Sequence, residues 1–302
     1  MKPRAAPPPG RPTLHPRAAV QLVRHPDAES FLRDAQPDLE RDEALSNMVL
    51  GGALRLVGRP EAPERPRWFA TVREGGELRV AAVWTPPFPL LLAGGGVGAD
   101  AALERVAADV REIAGRPARA FGPDALADGF VERWRHATGE PARAEIRQRL
   151  FALTEVQPVP EAPGDLRRAE AADAETVARW MAAFDEEALG EADVERARAA
   201  ARRRIAAGEV WLWEAGGEPR AMAASDRPTR NGVAVNAVYT PPWWRGHGYA
   251  TTAVARLSAG LLAEGRRFCV LFTDLANPTS NAIYTRIGYR PLADFTLYRL
   301  GG

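Results

Sequence analysis

Cysteine and lysine are almost missing from this chain. Among 302 residues only Cys269 is a cysteine and only Lys2 is a lysine. A single cysteine excludes an intrachain disulfide, so noncovalent packing must hold the fold together. Cys269 sits in the apolar run Phe268-Cys-Val-Leu-Phe272 and reads as a small buried hydrophobe rather than a nucleophile. A disulfide-free chain fits a reducing compartment. An excess of either charge is also absent. The 40 basic and 39 acidic residues nearly cancel, which gives no electrostatic reason to expect a nucleic acid or an anionic membrane as partner. Long hydrophobic runs are missing too: residues 88–93 are far too short to span a bilayer and read as a buried strand. Residues 1–16 are rich in Pro and Arg and lack the apolar region of a signal peptide. They are expected to be disordered. A cytoplasmic protein with no membrane contact and no metal site is expected.

What is present begins with punctuation. The length is enough for two ordinary domains. Gln157-Pro-Val-Pro-Glu-Ala-Pro-Gly-Asp165 can continue neither a helix nor a central strand. It is read as a linker, residues 157–165, between a domain at 17–156 and another at 166–302. After it, residues 165–169 read as an opening strand. Helices follow at 170–184 and 192–207, with Asp185-Glu186-Glu187 in the connection between them. Residues 209–214 and 220–225 form a hairpin around Gly216-Gly217. A strand at 233–238, a helix at 248–264, a strand at 267–273, a helix at 280–287 and a final strand pair through Leu300 complete this half.

Two motifs stand on these elements. The first is Val238-Tyr-Thr-Pro-Pro-Trp-Trp-Arg-Gly-His-Gly-Tyr-Ala250, running from strand into helix. Its core, Arg245-Gly246-His247-Gly248-Tyr249-Ala250, is an R-x-x-G-x-A loop. Backbone N–H groups at a glycine-relieved turn, with the positive end of a helix dipole, suit a pyrophosphate. Glycine permits both the turn and close approach of the ligand, and Arg245 adds a permanent charge. The Gly-Lys-Ser/Thr ending of a Walker loop is missing. The next strand, 268–272, lacks the acid of a dinucleotide fold, although Asp274 follows it. The second motif is Asn277-Pro-Thr-Ser-Asn281-Ala-Ile-Tyr284-Thr-Arg-Ile-Gly288-Tyr289. Asn277 suits a turn out of a strand, Thr279 or Ser280 can cap a short helix, and Gly288 can end it.

These motifs, in this order, resemble those of the GCN5-related N-acetyltransferases, and the resemblance covers the second half. It implies a mixed α/β fold, a mostly antiparallel sheet flanked by helices, with acetyl-coenzyme A as acyl donor. The resemblance implies that the loop holds the pyrophosphate, that Asn277 and Asn281 contact the cofactor arm, and that the Tyr284 hydroxyl faces the thioester sulfur. The backbone of Ala237, Val238, Tyr239 and Thr240 would pair with the pantetheine arm. Acyl transfer to an amine requires in-line positioning, loss of a proton by the amine, stabilisation of developing negative charge and protonation of the departing thiolate. Tyr284 is the candidate acid. Family members often carry a Glu near position 236, where this chain has Asn236. Asn cannot take a proton, though it can hold a relaying water or orient the acceptor. Glu186 and Glu187 lie where the family builds its acceptor pocket and are the candidate bases. His247 reads as a loop residue. Trp243 and Trp244 read as packing over the cofactor or a domain interface.

The first half repeats the plan: a hairpin at 67–73 and 78–84 around Gly75-Gly76, a strand at 88–93, a glycine turn at 94–98 and a helix at 100–114. A strand at 118–121, a helix at 124–136 and a strand at 147–156 follow, with earlier helices expected between Asp27 and Leu56. This resembles tandem bacterial acetyltransferases with one degenerate copy. The Gly94-x-Gly96-x-x-Ala99 turn carries no Arg, and Asp100 would repel a phosphate there. Where Tyr284 should have its counterpart, the helix offers Trp134. The expected function is acetyl transfer to the primary amine of a small molecule or peptide, by a monomer or homodimer. Another acyl group or acceptor, or a coenzyme A-binding protein without catalysis, are the alternatives.

Overall fold

The computed structural model describes residues 19–59, 67–95, 98–113, 116–190 and 192–301. The N-terminal segment 1–16 and part of the first glycine turn lie outside these residues. In chain order the first half comprises β1 (Val20–His25), α1 (Ala28–Leu39), α2 (Glu43–Leu54), β2 (Trp68–Glu74), β3 (Glu77–Trp84), β4 (Leu90–Ala93), α3 (Asp100–Arg111), β5 (Arg119–Pro123), α4 (Asp124–Thr138) and β6 (Ala142–Leu153). The second half comprises β7 (Asp165–Arg168), α5 (Ala174–Leu189), α6 (Val194–Ala206), β8 (Val210–Ala215), β9 (Glu218–Asp226), β10 (Gly232–Tyr239), α7 (Tyr249–Ala263), β11 (Phe268–Asp274), α8 (Pro278–Ile287) and β12 (Arg290–Leu300). The two halves are thus identical in element order. β1 is the one first-half strand that sequence patterning missed.

All the described strands join one twelve-stranded sheet in the order β1-β2-β3-β4-β5-β12-β6-β11-β10-β9-β8-β7. The halves do not merely abut. β6, from the first half, lies between β11 and β12 of the second; β12 lies between β5 and β6 of the first. The β6–β12 ladder runs antiparallel from Arg290 opposite Ala152 to Leu300 opposite Ala142. Across it Arg149 grips Asp294 through two bonds of 2.7 and 2.9 Å, and Arg299 and Arg119 converge on Glu145. The final strand pair expected from sequence is one long strand, because the remaining place in each half-sheet is filled by the other half.

Separate apolar clusters cover the two halves. One packs α3 and α4 on the first-half strands through Leu103, Val106, Phe130 and Trp134. Another packs α7 and α8 on β10 and β11 through Val254, Leu257, Ile287 and Tyr289. A third seats α5 and α6 on β8 and β9 through Val177, Met181, Leu212 and Met222. Cys269 is fully buried in the second of these, where desolvation pushes its thiol up to about 12.

The first half also props the start of β10. Glu43 of α2 accepts from the backbone N–H groups of Asn231 and Gly232 and from the Asn231 side chain. At the other end of α2, Arg55 pairs with Glu209 and Asp226. No described helix is long and apolar enough to cross a membrane.

Candidate functional site

β10 and β11 run parallel but pair only over Gly232–Ala234, opposite Phe268–Val270. Beyond Ala234 they part. β11 stays paired to β6 as far as Asp274, and β10 stays paired to β9 through a register shift between Asn236 and Tyr239. Ala237 holds a left-handed φ of 47°, rare for a residue with a Cβ. It marks the bulge that turns this strand outward. The edge of β10 facing β11 thereby presents backbone N–H and C=O groups without a strand partner along Val235–Tyr239. An extended ligand can pair there.

At the top of this slot, a 3-10 turn at Pro242–Trp244 leads into the glycine loop. Gly246 and Gly248 have φ of 80° and 82°, conformations that other residues adopt only with strain. Gly248 is the N-cap of α7 and supplies no side chain; no acid stands in the helix's first turn. Among the described residues the first backbone donor with a bond there is Thr252, donating to the Gly248 carbonyl at 3.0 Å. The preceding N–H groups are left for an anion. The Thr252 hydroxyl accepts from the Ala162 backbone at 3.0 Å, tying the linker to this turn.

The loop's cation is already engaged. Arg245 donates through Nε to the Thr240 carbonyl at 3.0 Å and through Nη2 to both carboxylate oxygens of Glu187 at 2.8 and 2.7 Å. The Tyr239 hydroxyl also leans on Glu187, at 3.4 Å. Burial, reinforced by that carboxylate, raises the Tyr239 phenol. His247 turns Nδ1 onto the Arg245 carbonyl at 2.9 Å and stacks on Tyr249, with centroids 5.8 Å apart.

α8 supplies the other wall. Its N-cap is Asn277, not Thr279 or Ser280: the Asn277 side chain accepts from the Ser280 N–H at 3.0 Å, and Pro278 takes the first helical position. Asn281 donates to the carbonyls of Asp274 and Asn277, leaving its Oδ1 buried and unpartnered. The Thr240 hydroxyl is buried and unpartnered too. Such orphaned atoms are costly in a folded chain and fit a ligand that completes them. Tyr284 is 8% exposed, stands edge-on to Tyr289 at 6.0 Å, and its hydroxyl makes no hydrogen bond among the described residues. Burial pushes its phenol up to about 12.

The acidic candidates are placed differently from the sequence reading. Glu186 and Glu187 lie in the last turn of α5, not in a connection: Asp-Glu-Glu-Ala continues a helix well, and the stop is Gly190, left-handed at φ 70°. Glu187 points to Arg245; Glu186 is exposed. Asn236 is held from both ends, its Oδ1 accepting from Arg204 at 2.7 Å and its Nδ2 donating to Asp226 at 3.3 Å. Asp226 is in turn held by Arg55 and Arg227, whose charges keep its carboxyl below the usual range against the cost of burial. Sequence reading missed this cluster of Arg55, Arg204, Glu209, Asp226 and Arg227, because its members come from four elements of both halves and share no spacing. Among the described residues no group of His, Cys, Asp or Glu could hold a metal ion. At the corresponding turn of the first half, Asp100 occupies the first turn of α3 and pairs with Arg133 at 2.8 Å, and Trp134 is buried.

Comparison with known proteins bears on the fold that carries these residues. Residues 168–289 match the model of the acetyltransferase (GNAT) family. No curated protein matches the chain. Among solved structures it is similar to a GNAT-family acetyltransferase from Colwellia psychrerythraea, at 12% identity and TM-score 0.53, over 94% of this chain and 100% of that one. It is similar to a GCN5-related N-acetyltransferase from Sphaerobacter thermophilus, at 16% identity and TM-score 0.56, over 92% of this chain and 95% of that one. A tandem GNAT protein from the clavulanic acid biosynthesis pathway aligns at 13% identity and TM-score 0.55, over 93% and 98%. At these identities the likeness is one of fold, and it spans both halves. Residues 168–289 thus form a domain of the acetyltransferase (GNAT) family, and the first half repeats its element order.

Proposed function

We propose that the chain moves an acetyl group from acetyl-coenzyme A to a primary amine of a small molecule or peptide, by direct transfer in the second half. The observation that carries this reading is the slot itself: β10 leaves β11 after Ala234 and meets an uncapped helix end flanked by two left-handed glycines. The N–H groups at 248–251 would receive the pyrophosphate. The free edge of β10 and the orphaned Asn281 Oδ1 would pair with the amide-bearing arm. Remote binding of this kind positions the reactive end. The thioester is the activated acyl donor that the cofactor supplies. A backbone N–H on the β10 edge would stabilise developing negative charge beside it. Tyr284 would hold the proton for the departing sulfur: its phenol is neutral throughout the physiological range and has no hydrogen-bond partner among the described residues. Glu187 is the proposed acceptor of the amine proton. Its carboxylate faces Arg245, so the pyrophosphate would compete with it for Arg245, and the amine would compete with Arg245 for it.

The test is thermal unfolding with and without acetyl-coenzyme A, for the wild type and Gly248→Glu. Ligand at about 100 times its Kd adds roughly 2.7 kcal/mol to the state that binds it. The expected result is a stabilising shift in the wild type that vanishes in the variant, where a side chain at φ 82° and a negative charge both oppose an anion. No shift in folded wild-type protein would favour the reading in which the fold serves interaction alone.

A further inference from the structure

A second concave feature lies beside the end of β10, with Tyr239 and Pro241 in its wall. A groove of about 400 Å³ separates α5 from the Pro242–Trp244 turn and the start of β9. This is a usual volume for a small-molecule site. Aromatic rings line it: Trp180 lies 6.2 Å from Tyr239 on one side, and Trp243 and Trp244 stand on the other. Trp243 is 71% exposed, the most exposed large hydrophobic side chain among those described, and it sits at the rim of this groove. Two cations reach the same space. The Arg220 guanidinium stacks on Trp244, 3.7 Å from the ring centre, while its Nη1 pairs at 2.8 Å with Glu218, which is itself exposed. Among the described residues Arg179 has the Thr176 hydroxyl, at 3.3 Å, as its side-chain partner and no acid within ion-pairing distance. Two arginines therefore face one solvated carboxylate across an aromatic groove.

We infer that this groove is a binding site for a planar, anionic group, an aromatic or heteroaromatic ring bearing a carboxylate or phosphate. The rings supply stacking faces, and Arg179 supplies an uncommitted charge at the mouth. Arg220, already flattened on Trp244, extends the stack with a delocalised cation. This chemistry has two sources: the ring end of the acyl acceptor, or the nucleotide end of coenzyme A folded back over the Pro241–Trp244 turn. The inference holds whether or not the chain transfers acyl groups.

The probe is indole-3-acetate, compared with indole and with acetate alone, titrated by calorimetry into the full-length protein. Arg179→Glu and Trp243→Ala change exposed side chains, and circular dichroism confirms that each variant is folded. The expected result is saturable binding of indole-3-acetate, tighter than either fragment by about tenfold or more, and weakened by about tenfold in each variant. Repeating the titration with saturating coenzyme A separates the sources. Displacement of the probe assigns the groove to the cofactor's nucleotide end, and undiminished binding assigns it to the acceptor; both support the site. No binding, equal binding of indole and indole-3-acetate, or binding unaffected by both substitutions would overturn it. Coenzyme A is first titrated alone into the same protein, so its failure to bind in the slot is read independently of the groove.

Discussion

Arg245 and Glu187 hold each other across the mouth of the slot, one guanidinium nitrogen serving both carboxylate oxygens. The cation of the glycine loop, proposed to meet the pyrophosphate, and the proposed proton acceptor therefore form one ion pair. Both side chains are half exposed, so the pair adds little to stability and matters by where it keeps each group.

Glu187→Gln separates the two roles. Releasing Arg245 removes a competitor for phosphate worth about 0.2–1 kcal/mol, so the Kd for coenzyme A should fall, by up to about fivefold. Turnover should fall at the same time, by about 10²-fold, if Glu187 takes the amine proton. Affinity from calorimetry and kcat from thiol release check both halves of this expectation. Unchanged values for both would remove Glu187 from the site.

Tyr284→Phe should lower kcat by about 10²- to 10⁴-fold and leave coenzyme A affinity intact. The sign of the pH dependence follows from burial. Burial lifts the folded phenol to about 12, above its ordinary value of 10.0, so its contribution to stability is complete below pH 10 and is lost as pH rises through 12. The wild type should show no loss of turnover from this group between pH 7 and 9. Rate profiles of the two proteins over that range test it: an alkaline limb in the wild type that the Phe variant lacks would mean a phenol tuned downward, contrary to the structure.

Asn281→Ala removes the orphaned acceptor together with two bonds that fix the entry to α8. Coenzyme A binding should weaken by about tenfold, near the net value of one hydrogen bond to a buried partner. Calorimetry reads it. If only the melting temperature falls and affinity does not, Asn281 braces the helix without touching the ligand.

The shared strands predict a behaviour of fragments. Residues 157–302 alone lack β6, which leaves facing edges of β11 and β12 open, and residues 1–156 alone lack β12. Each fragment should be unfolded or aggregated by circular dichroism and size exclusion. Co-expression of the two should restore a soluble complex. A folded, monomeric 157–302 would show that the ladder is dispensable.

Much of this was legible in the chain. Gly246 and Gly248 signal a strained turn because few other residues tolerate positive φ, and the apolar stripe of Val254, Leu257 and Leu261 signals the helix behind it. Local rules reach that far. They misplaced Glu186 and Glu187 because an acidic stretch reads equally as loop or helix end, and Gly190 decides only in the folded chain. They could not reveal that Arg55 stands behind Asn236 through Asp226, a relation spanning both halves. Nor does any pattern in residues 142–153 state that this strand belongs in the other half's ladder. Register of that kind is set by which edges remain unpaired, a property of the whole sheet.

The strand order reads alike from either end once each strand is matched to its counterpart six places along. A chain of this design cannot do without its first half, although Asp100 rather than a loop arginine marks the helix start there. Deletion would open the sheet beside β11, at the wall of the slot. The copy without an arginine loop is thus kept by architecture rather than by chemistry. Its surfaces are free to diverge so long as one strand continues to reach across.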